Sequence, residues 1–195
     1  MNVSSRALKY CAAVASCAAI AFCTLHFTKS AAQTGMEGRQ QAGRVANSNT
    51  PAPIFGVTIP PGYRDWRLIS VAHEAGNLND LRAVLGNDAA IKAYRQGAPS
   101  FPDGTIITRL AWNYVPSEEN NKVFGRAQSF VPGSATDWYL QVMVKDSKRY
   151  AATDGWGFAQ FDENGKPADE AKHKTCLPCH EGAKAHDFVF THYAP

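Results

Sequence analysis

The pentapeptide Cys176-Leu177-Pro178-Cys179-His180 carries the densest chemistry in this 195-residue chain. Cys-x-x-Cys-His is the attachment sequence of a c-type haem. Two thiols three positions apart on one local turn can each add across a vinyl group of the porphyrin, giving two thioether links. The imidazole beside the second thiol then falls under the ring, where a nitrogen can bind iron as the proximal ligand. A Cys-x-x-Cys pair is also half a zinc site or a redox dithiol. Zinc would need two more ligands, for which His173, His186 and His192 are the nearby candidates. His173 and His186 do not recreate a familiar finger spacing with the pair. A thioredoxin-like dithiol is expected early in a chain, after a strand, whereas this one lies about 20 residues from the end.

The start of the chain bears on the compartment. Arg6 and Lys9 precede a small-residue apolar run from Cys11 to Phe27, and Ser30-Ala31-Ala32 then supplies small residues suited to cleavage before Gln33. This is the pattern of a secretory signal peptide over residues 1–32, with an uncleaved anchor as the alternative. Covalent haem attachment takes place outside the bacterial cytoplasm, so a periplasmic location and the pentapeptide support each other. Three of the five cysteines, Cys11, Cys17 and Cys23, lie in that run, and cleavage leaves only Cys176 and Cys179. The formal charge of +3 also belongs to the signal, through Arg6, Lys9 and Lys29. The remaining chain is formally neutral, which gives no electrostatic case for nucleic acid. No membrane association is expected once the signal is removed.

A Gly-, Gln-, Asn- and Ser-rich leader spans residues 33–54, and residues 55–195 form one domain large enough for a sizeable core. Its pattern is strand-rich. Strands are predicted over Trp66–Ala72, Leu81–Leu85, Thr105–Val115, Lys122–Val131, Trp138–Lys145 and Gly155–Phe161, with a possible last strand over Phe188–His192. Pro132-Gly133-Ser134 is read as a break between the fourth and fifth of these. The best helix is Asp88–Gln96, with Asn87 or Asp88 as its N-cap and Gly97 as its stop. The pentapeptide itself should form a turn or short helix. The fold class is α+β, mainly antiparallel β with few helices, rather than a helical bundle.

The ordered segments Tyr63-Arg64-Asp65-Trp66, Phe101-Pro102-Asp103-Gly104-Thr105, Val142-Met143-Val144-Lys145-Asp146, Gly155-Trp156-Gly157-Phe158, Cys176 to His180 and Phe188-Val189-Phe190-Thr191-His192-Tyr193 resemble the cytochrome P-460 family. The resemblance covers roughly residues 55–195. It implies a mainly β, usually homodimeric protein carrying one covalently attached haem c. It also implies a small-molecule ligand or substrate: members oxidise hydroxylamine, and relatives called cytochromes c′-β bind nitric oxide or other small gases. In the hydroxylamine-oxidising members a lysine is cross-linked to the haem, and the resemblance places Arg109 at that position. Arginine stays protonated and is a poor nucleophile, so gas binding becomes the stronger expectation. Arg109 could instead pair with a haem propionate. Lys145 and Lys148 are the other lysines considered for a cross-link.

The opposite face of the iron decides the chemistry. The chain after the signal offers only Met36 and Met143 as thioethers, and His73, His173, His186 and His192 as further imidazoles. Each has an ordinary packing or surface reading, so an open or water-bound sixth position is expected. An electron-transfer cytochrome with a six-coordinate haem and a periplasmic redox partner is the alternative. For an oxidative reaction Asp137 is the candidate catalytic proton acceptor, ahead of Glu118 and Glu119. For a gas binder, Phe101, Phe124, Phe130 and Phe158 are candidates to crowd the iron.

Overall fold

The computed structural model describes residues 50–194, so the expected signal peptide and all but the end of the expected leader lie outside the described residues. Five strands form one antiparallel sheet in the order of the chain: β1 Arg67–Glu74, β2 Asp80–Gly86, β3 Ile106–Pro116, β4 Phe130–Lys145 and β5 Trp156–Phe161. Four short helices accompany them: α1 Asp88–Arg95, α2 Glu118–Phe124, α3 Glu170–His173 and α4 Cys176–His180. The α+β class with few helices is therefore what the chain adopts. No described helix is long and apolar enough to cross a membrane.

Helix α1 forms where expected, and Asn87 is its N-cap. The Asn87 side chain accepts from Ala90 N at 3.0 Å and from Ile106 N at 3.1 Å, and donates to Gly104 O at 2.8 Å. One side chain thus caps the helix and fixes the start of β3.

Three expectations are corrected. Lys122–Val131 is not one strand: α2 occupies Glu118–Phe124, and only Phe130 and Val131 belong to a strand, the start of β4. Ser117 caps it at Asn120 N, acidic Glu118 and Glu119 sit in its first turn, and Gly125 ends it with a left-handed φ of 68°. Pro132-Gly133-Ser134 does not break the sheet, since β4 runs through it in one 16-residue strand. β5 pairs only with Leu140–Lys145, so the outer half of β4 is a sheet edge, where proline is tolerated. Phe188–His192 is not a strand either. Asp187 and Phe188 both take positive φ, 51° and 64°, which turns the chain out of extended geometry before it could join the sheet.

The strands alternate between two faces, and each face has its own core. One face carries Leu85, Leu110, Leu140, Val142, Ala159 and Phe161, closed by the segment Ala52 to Tyr63. Ala52 is only 2% exposed, so the end of the predicted leader is already part of the domain. The other face carries Val84, Ile107, Met143, Trp156 and Phe158, closed by α1, Cys176, Phe188 and Val189. The pentapeptide packs on this second face.

Candidate functional site

Helices α3 and α4 deliver the pentapeptide to the sheet. Asp169 caps α3 by accepting from Lys172 N at 2.8 Å. His173 is fully buried, and its Nε2 accepts from the backbone N–H of Gln160 on β5 at 3.1 Å. That bond puts the ring proton on Nδ1, which donates to Asp169 O at 2.7 Å. His173 therefore pins α3 to β5 with both nitrogens used, and it is a structural residue rather than an iron ligand. Three residues on, α4 begins with Cys176 buried and Cys179 exposed. Burial pushes the Cys176 thiol up to about 11, against a smaller lowering by a hydrogen bond from Gln160.

His180 ends α4. Its Nδ1 lies 2.7 Å from the carbonyl oxygen of Phe188. A carbonyl can only accept, so Nδ1 carries the proton and Nε2 keeps its lone pair. This is the arrangement that metal-ligating histidines adopt, with one nitrogen tied back to the protein and the other free for the metal. The ring packs against Phe158 at 4.9 Å and Phe190 at 5.3 Å between centroids. Burial lowers its pKa, which keeps the ring neutral and able to donate its lone pair.

His180, Cys176 and Cys179 border a cavity of about 620 Å³ on the second face of the sheet. Strand register explains its floor. Ser70, Val84, Arg109, Gln141 and Gln160 lie side by side across all five strands, and all five border the cavity. The neighbouring row, Ile107, Met143 and Phe158, is apolar and borders it too. A mostly apolar cleft with a few polar groups is the usual build of a cofactor pocket.

The residues present fit a haem. Arg109 Nε and Gln160 Oε1 are buried without a hydrogen-bond partner, leaving polar capacity in the cavity wall. Arg109 makes one bond, Nη2 to Trp138 O at 3.3 Å. Burial, and secondarily the charge of Arg82, lowers its pKa to about 10, so it remains a cation at neutral pH. Arg82 also borders the cavity and is held by two carboxylates, Asp80 at 2.7 Å and Glu74 at 3.2 Å. Cationic groups on one wall suit the propionates of a haem.

The remaining expected residues scatter. Asp137 is exposed on β4 and does not border the cavity. Glu118 and Glu119 are spent in the first turn of α2. The carboxylate that does border the cavity is Glu74, which sequence reasoning missed; its only signal was its place two residues beyond Ala72 on the same strand face. Met143 and His192 border the cavity, His186 borders a second, shallower cleft, and exposed His73 stacks on Tyr114. Lys145 is bound to Asp187 and Lys148 is exposed. Of the four phenylalanines only Phe158 borders the cavity, while Phe124 and Phe130 are exposed at 52% and 42%. Met36 lies outside the described residues.

No curated protein is similar enough to the chain to count as a relative. The family model of cytochrome P460 matches residues 60–191, a span that takes in every strand, the cavity floor and the pentapeptide. On a match of that extent the chain belongs to the cytochrome P460 family, whose cofactor is haem.

Proposed function

We propose that the protein is an exported, periplasmic mono-haem c-type cytochrome that binds or oxidises a small nitrogen compound, hydroxylamine or nitric oxide, at an open iron position. Cys176 and Cys179 would hold the haem by thioethers, and His180 Nε2 would ligate its iron. The observation that carries the reading is the His180 Nδ1–H bond to Phe188 O at 2.7 Å, which leaves Nε2 free on a ring bordering the cavity. The haem would supply an iron centre able to bind a small ligand and exchange electrons.

The chain's own residues do the rest. Arg109 and Arg82 present cations to the cavity, and their position on the floor suits the carboxylates of the cofactor. Ile107, Met143 and Phe158 limit water on the apolar part of the wall. Arg109 stands where the resemblance expects a cross-linking lysine, and Lys145 is engaged elsewhere, which supports ligand binding without a cross-link. If a reaction follows, Glu74 is better placed than Asp137 to accept a proton, because it borders the cavity and Arg82 holds it. A homodimer and a periplasmic electron partner belong to the same reading.

A second reading has one observation behind it: Met143 and His192 also border the cavity, and either as sixth ligand would make an electron carrier. Visible spectroscopy of the purified exported protein separates the two. A high-spin spectrum that changes on adding nitric oxide or carbon monoxide supports an open position. A low-spin spectrum in both redox states that resists both ligands supports the carrier, and a strongly red-shifted ferrous band would mean a lysine cross-link.

A further inference from the structure

The carbonyl that receives the His180 proton sits in an unusual piece of backbone. Asp187 and Phe188 are consecutive non-glycine residues at positive φ, 51° and 64°. Positive φ is strained for residues with a side chain, and such pairs persist only where the surroundings impose them. The surroundings here converge on one carboxylate. Asp187 Oδ1 receives Lys145 Nζ at 2.7 Å and the indole Nε1–H of Trp156 at 3.2 Å. Its Oδ2 receives the backbone N–H of Phe101 at 2.8 Å. The ion pair is buried, with both side chains only 10% exposed. Lys145 is itself held by Asp154 O at 3.1 Å and lies 4.9 Å from the Trp156 ring centroid. The end of β4, the start of β5 and the Phe101 loop are thus tied to a single turn.

From this geometry we infer that Asp187 is the positioning residue of the proximal histidine. Its carboxylate clamps the turn that aims the Phe188 carbonyl at His180 Nδ1. The inference rests on the reading of His180 as the iron ligand. A strong Nδ1–H bond makes an imidazole more electron-rich, which strengthens its bond to iron and favours the ferric state. Loosening the turn weakens that bond. Locally the turn is closed by two backbone bonds, Asp187 N–H to Lys184 O at 3.1 Å and Phe188 N–H to Ala183 O at 3.0 Å, and the Asp187 carboxylate ties it to the sheet.

The test uses the exported haem-loaded protein and three variants, Asp187→Asn, Lys145→Met and Trp156→Phe. The readings are the ferric/ferrous reduction potential and the iron–histidine stretching band of the ferrous protein by resonance Raman. All three variants should raise the potential and lower the stretching frequency, with Trp156→Phe the mildest because it removes only one bond from the carboxylate. Asn87→Ala, which loosens the fold away from this turn, should move neither reading. Wild-type values in folded, haem-loaded Asp187→Asn would overturn the inference. Should Asp187→Asn and Lys145→Met fail to accumulate, wild-type values in Trp156→Phe would overturn it as well. A wild-type spectrum in His180→Ala would instead overturn the ligand reading, so the two failures are distinguishable.

Discussion

Replacing His173 with leucine removes an acceptor and keeps a side chain of similar bulk, so its effect can be worked out from few terms. The buried N–H of Gln160 loses its only acceptor, at 3.1 Å. Asp169 O loses the Nδ1 donor but still receives the backbone N–H of His173 at 3.2 Å, so it is not orphaned. The cost is therefore close to that of one unsatisfied buried donor, about 1–3 kcal/mol. For a domain of this size each kcal/mol lowers Tm by about 3 °C, so the variant should melt roughly 3–9 °C lower. Glutamine at the same position can present a carbonyl oxygen to Gln160 and should recover part of the loss. The loss also has a functional address, since α3 sets where the pentapeptide begins and a frayed α3 should lower the yield of attached haem. Thermal and urea denaturation measure the first effect, and the pyridine haemochrome of the exported protein measures the second. A His173→Leu variant within 0.5 kcal/mol of wild type, or one no worse than His173→Gln, would refute the assignment of His173 as the pin between α3 and β5.

Other outcomes follow from single contacts. Asn87→Ala forfeits the α1 cap and the bond to Ile106 N and should cost about 2 kcal/mol by urea denaturation, with Asn87→Asp intermediate, because both acceptor bonds survive while the donor to Gly104 O is lost. Gly157→Ala would place a Cβ 2.3–2.7 Å from ring carbons of Tyr150, inside the buried β5, and should cost about 1–3 kcal/mol or more in a thermal melt. Burial holds the hydroxyls of Tyr63, Tyr94 and Tyr150 above their ordinary value of 10.0. Above pH 10 the unfolded chain then loses protons that the folded chain keeps, so stability is full below that pH and falls as pH rises. Tyrosinate absorbance should grow for these three residues only as the fold is lost; growth well before unfolding would contradict their burial.

Much of this is legible in the sequence, and the physics says which part. Gly155–Phe161, Thr105–Val115 and the helix after Asn87 have strong local signals, alternation in the strands and a capping side chain in the helix, and all formed. Lys122–Val131 misled because Val123 and Phe124 suggest a strand while Ser117, Glu118, Glu119 and Gly125 spell a short capped helix. Capping decided it. The cavity floor was not legible, because Ser70, Val84, Arg109, Gln141 and Gln160 come together only through the register of four strand pairs. Arg109 reached the site on a family resemblance, whereas Glu74 and Arg82 had no such guide. Asp137 had only a place before a strand to recommend it, and β4 presents it to solvent. The turn at Asp187 and Phe188 was invisible for another reason: neither residue is glycine, and the contacts that tie the turn to the sheet through the Asp187 carboxylate are tertiary.

The central claim is a covalently held haem on Cys176 and Cys179 with His180 as its ligand, and mass spectrometry of the exported protein tests it most directly. After extraction with acidified organic solvent, the denatured chain should retain the mass of one haem, carried on a single peptide containing Cys176 and Cys179. A chain that releases all its haem on extraction, or carries it on a peptide without these two cysteines, would contradict the account.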